Sequence, residues 1–81
     1  MNSMVFIKEA KGLIQKMESA AKMAAGEDKD FQEKQIQHDI DYMFANMTNP
    51  SLPSASRLVE TAKKYRYAVD SKVIHKVNQF N

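Results

Sequence analysis

The chain has 81 residues, 43% of them hydrophobic and 27% charged, with a formal net charge of +2 and a pI near 8.9. That is the length of one domain, near the lower limit at which a single apolar core suffices, so a deep and rigid active site is not expected. The absence of cysteine excludes a disulfide framework and a thiolate metal site, and the only N-terminal apolar run, MVFI at 4–7, is too short for a secretion signal or a spanning helix.

A cytoplasmic location without membrane insertion is therefore expected. Two glycines and two prolines among many Ala, Lys, Glu, Gln and Met residues favour helix. The expected fold class is all-α: a small bundle of three helices, or four if the last one breaks, with an antiparallel N-terminal hairpin. Residues 1–49 carry six lysines against eight acids, a net of −2, and residues 50–81 carry six basic residues against two acids, a net of +4. Charge thus divides where the chain turns at Pro50.

The first helix is expected over about residues 4–25, with Ser3 as its N-cap and Gly26 just past its end. Phe6, Ala10, Leu13, Met17, Ala20 and Ala24 follow a 4-3-4-3-4 spacing, a bundle-facing stripe widened by Ile7, Ile14 and Ala21. After the polar GEDKD turn, Asp30 and Glu33 form a capping-box variant opening a second helix over 31–47. Its apolar face reads Ile36, Ile40, Met43, Phe44 and Met47, with Phe31 near the start. Residues 48–54 form a loop in which two prolines disfavour helix, and Leu52 between them is expected to tuck onto the core. A third helix over 55–70 carries Ala55, Leu58, Ala62, Tyr65 and Val69. The phase then slips, and Asp70-Ser71 places a break or kink before a last segment over 71–80 with Val73, Val77 and Phe80.

Two stretches are similar to type III secretion needle subunits, chains of about this size built as a helical hairpin around an N-P-x-L-like turn: NPSL at 49–52 and YRYAVDSKV at 65–73. The resemblance implies a self-assembling filament subunit. Asn49, Pro50 and Leu52 would lie in its turn, with Tyr65, Arg66 and Val73 on its second helix.

No catalytic constellation stands out. His38 and His75 are far apart in sequence and match no zinc spacing. The six serines read as caps, loop or helix-surface residues, no glycine-rich phosphate loop occurs, and Asp39 and Asp41 do not share a helix face. A non-enzyme without cofactors or metal is expected. Six methionines suit an adaptable binding surface, so Met17, Ala20, Ala24, Met43 and Met47 are the candidate protein interface. The leading expectation is a small regulatory or adaptor protein that binds another protein, itself included, as a homo-oligomer. The alternative is a nucleic-acid-associated protein using Arg57, Lys63, Lys64, Arg66, Tyr67, Lys72 and Lys76, cations for phosphate with a tyrosine to stack.

Overall fold

A computed structural model of the chain describes residues 1–80, which form four helices and no strand. They are α1 (Ser3–Ala21), α2 (Glu27–Ala45), α3 (Pro53–Lys64) and α4 (Ser71–Asn78). The all-α bundle read from composition is the observed fold. Helix α1 is its centre: α2 packs on it, α3 packs on it, and α4 leans on α3.

The helix ends differ from the sequence reading, each for a local reason. Asn2, not Ser3, caps α1, because its side-chain oxygen accepts the Val5 amide at 2.9 Å. The helix stops at Ala21, four residues early, where the Lys22 and Met23 amides turn back to the carbonyls of Ser19 and Ala20. Beyond that point Ala24 and Ala25 stand in solvent, so extending the helix would bury nothing. Gly26, at φ 157°, precedes α2 rather than closing α1. Helix α2 accordingly opens at Glu27, and Glu27, Asp28 and Asp30 all fall in its first turn, where the positive end of the helix dipole favours acids.

Helix α3 starts at Pro53, whose missing N–H costs nothing in a first turn. Leu52 packs, half-buried, against the core. The helix ends at Lys64, six residues before the expected limit. The Tyr67 amide donates to the Ala62 carbonyl at 2.8 Å and the Arg66 amide to that of Lys63 at 3.1 Å, with Arg66 at φ 67°. This is a Schellman turn with arginine where glycine is usual. A left-handed non-glycine residue costs about 1–2 kcal/mol, partly offset by the extra unfolded-state entropy of glycine. Arg66→Gly is therefore expected to raise the stability by about 0.5–1 kcal/mol, measured as a higher urea midpoint at constant slope. An unchanged or lower midpoint would mean that the turn is unstrained.

The chain then runs extended to Asp70, whose carboxylate accepts the Lys72 amide at 2.8 Å and caps α4. The break therefore falls at the foreseen place, preceded by a six-residue connection that the sequence reading assigned to helix. The needle-like hairpin implied by NPSL is not the architecture seen: α2 and α3 flank that turn, yet each packs chiefly on α1.

The core comprises Phe6, Ala10, Leu13, Met17 and Ala20 of α1, Ile36, Ile40, Met43 and Phe44 of α2, Ala55, Leu58, Val59 and Ala62 of α3, and Val77 of α4. Two polar clasps complete the fold. The Thr48 hydroxyl donates to the Met1 carbonyl at 2.7 Å. The Gln37 amide pairs both ways with the backbone of Ala68, donating at 2.9 Å and accepting at 2.8 Å.

Candidate interaction surfaces

The five positions read as a protein interface have three different fates. Met17, Ala20 and Met43 are buried inside the chain's own core, where α1 meets its neighbours. Met47 packs half-buried at its edge, and Ala24 lies exposed beyond the end of α1. A core position and a seam position demand the same residue types at the same spacing, so only packing separates them. The burial of Met17 and Ala20 means that any partner must use other side chains, and Met43, 4% exposed, offers only its edge to the surface.

What remains outside is a different apolar set: Met4, Val5 and Ile7 on α1, Phe31 and Tyr42 on α2, and Phe80 after α4. Phe31 was expected near the core face of α2, but it is 66% exposed. At 100° per residue it lies opposite Ile36 and Ile40, which fixes it on the solvent side once those two are buried.

Between α1 and α2 lies an open groove of about 560 Å³. Val5, Gly12 and Leu13 line it from α1, and Tyr42 and Met43 from α2, with Glu9, Lys16 and Asp39 among its polar residues. Gly12 leaves its part of the α1 wall without a side chain. Glycine inside a helix costs about 0.5–1 kcal/mol relative to alanine, and a Cβ built there meets nothing within 4 Å. The groove is crossed by Lys16 and Asp39, 4.0 Å apart. With both side chains partly solvated, that pair adds little stability but does mark the groove with charge.

The seven candidate nucleic-acid contacts all reach the surface, but not as one face. Arg57 stands in the second turn of α3, Lys63 and Lys64 in its last turn, and Arg66 in the Schellman turn. Lys64 sits over the ring of Tyr65 at 5.2 Å. Arg66 and Tyr67 line a depression with Asp30 and Glu33 of α2. Tyr67 is half-buried there, and burial, then the nearby Glu33 carboxylate, pushes its phenol above the ordinary 10.0. Lys72 and Lys76 share the outer side of α4 with His75 and Gln79.

The histidines are not brought together with other ligands. His38 stands 3.8 Å from Asp39, and His75 contacts Gln79 at 3.2 Å. Among the described residues no three His, Cys, Asp or Glu side chains cluster as a metal ion requires, and no helix is long and apolar enough to cross a membrane. No family model, curated protein or solved structure matches the chain.

Proposed function

We propose that this chain is a non-enzymatic protein-binding module of the regulatory or adaptor kind, and that its working surface is the α1–α2 groove. The observation that carries this reading is the gap at Gly12, where a helix-weakening residue leaves Val5, Leu13, Tyr42 and Met43 around an open trough. Apolar walls with a few charges at the side suit an amphipathic helix that inserts one or two aliphatic side chains. Methionine in the wall lets the trough adapt to the side chain it receives.

The test is a displayed library of helical peptides panned against the chain. Binders carrying an apolar pair at i and i+4 are expected, and they should lose at least tenfold in affinity for Gly12→Leu, which fills the trough. That variant has room for its side chain and a better helix former than glycine, so its circular dichroism and urea midpoint should hold or improve. Binders that tolerate Gly12→Leu would place the working surface elsewhere.

A nucleic-acid role has narrower support. Lys72, His75 and Lys76 form a compact basic side on α4, whereas Arg66 shares its depression with acids. A titration with duplex DNA checks it, since phosphate-driven affinity falls steeply with added salt.

A further inference from the structure

The outer face of α2 carries a second, unpartnered stripe. Phe31, Gln35, His38 and Tyr42 are spaced 4-3-4 and fall within about 60° of arc. They point away from Ile36, Ile40 and Met43, and all four are exposed, Tyr42 at 58%. One helix thus has apolar residues on two opposite sides, and only one side is used within the chain.

The order of residues along this stripe is self-complementary. Reversed about a point between residues 36 and 37, Phe31 falls on Tyr42 and Gln35 on His38. The flank carries a similar relation in charge, centred one residue further along, between residues 37 and 38. Lys34 and Asp41 are seven residues apart on the same side of the stripe, and both are exposed. Two antiparallel copies related by a two-fold axis bring the same flanks together, so Lys34 of each copy lies about 3 Å along the axis from Asp41 of the other, an offset its long side chain can span. The Gln37 amide donates to one Asp41 oxygen at 3.1 Å, which orients that carboxylate and leaves its second oxygen for a cation.

We propose that this face is the seam of a homodimer, in which α2 packs antiparallel against α2 of a second copy. Phe31 stacks on Tyr42 of the other chain at both ends, and Gln35 faces His38 in the middle. Lys34 and Asp41 close one flank as two symmetric ion pairs and set the register. An antiparallel arrangement is required, because a parallel one would put the Lys34–Asp41 flanks of the two copies on opposite sides of the seam, where the pairs could not form. The proposal deepens the protein-binding reading by naming a partner, and rests on it only in that the chain acts by contact. Tyr42 borders both surfaces, but Phe31 and Lys34 lie outside the groove and Gly12 and Leu13 outside the seam, so Phe31→Glu and Gly12→Leu test the two separately.

The first measurement is sedimentation equilibrium on the full chain up to the millimolar range. The expected result is a reversible dimer of twice the 9.3 kDa chain. Phe31→Glu should be monomeric with an unchanged helical spectrum. Lys34→Asp should weaken the dimer by about tenfold or more, and the double variant Lys34→Asp with Asp41→Lys should recover it. Register is read by cross-linking, which the absence of native cysteine keeps clean. A mixture of Phe31→Cys and Tyr42→Cys chains should form a disulfide heterodimer on oxidation, while either variant alone does not. A wild-type monomer at every concentration, or cross-linking by Phe31→Cys alone, overturns the proposal. Peptide binding at the groove would survive that result.

Discussion

Phe6→Ala is expected to lower the stability of the chain by about 3–5 kcal/mol. Phe6 is 1% exposed and sits on α1, the helix against which both α2 and α3 pack. Truncating a buried phenylalanine removes its transfer free energy and leaves a cavity, together about 3–5 kcal/mol. A chain of 81 residues has roughly 4–12 kcal/mol in all, so one such loss removes a quarter of it at the least and all of it at the lower end of that range. Ile7, next along the same helix but 46% exposed, is the control. Ile7→Ala should cost clearly less, about 1 kcal/mol, because nearly half of its surface is already in water. Urea unfolding followed by far-UV circular dichroism separates the two. Equal losses would mean that α1 is not seated with Phe6 inward.

Met43→Glu is the second large effect, and it distinguishes a core from a seam. Met43 is 4% exposed, and an ionised carboxylate in its place would be taken largely out of water. Burying an unpaired charge belongs to the few mechanisms that exceed about 4 kcal/mol. Loss of the helical spectrum at neutral pH is therefore expected, along with loss of any binding. Tyr42→Glu, one residue earlier and on the outer side, should keep the spectrum and lose only contacts made through that face. If Met43→Glu instead stayed folded and merely stopped associating, the core assignment of α2 would be wrong.

The two effects follow from the same periodicity, and they show how far it reaches. A 3.6-residue repeat with apolar residues at three- and four-residue steps specified the inward faces of all four helices, and Phe6, Leu13, Ile36, Ile40, Leu58 and Val77 are buried as that repeat requires. It also marked Asp70-Ser71 as a cap before the last helix. Helix stops were harder to see. Nothing local ends α3 at Lys64, for Tyr65-Arg66-Tyr67 contains neither glycine nor proline. The chain turns there because Gln37, from another helix, clasps Ala68 while Tyr65, Tyr67 and Val69 pack on the core.

The candidate interface shows the same limit. Met17, Ala20 and Met43 were rightly found apolar and helical in spacing, but whether such a face meets its own chain or another is set by the arrangement of the other helices. Phe31 and Tyr42 lay in plain view at heptad-compatible positions, yet a helix with apolar residues on two sides offers no local sign of which side turns inward. The sequence by itself determined the fold class and the residues able to make a core, because these depend on composition and short-range spacing. Only the tertiary structure decided which apolar stripe was consumed, that the helices number four, where α1 and α3 stop, and that Gly12 lines a groove, because each of those depends on what another segment of the chain packs against.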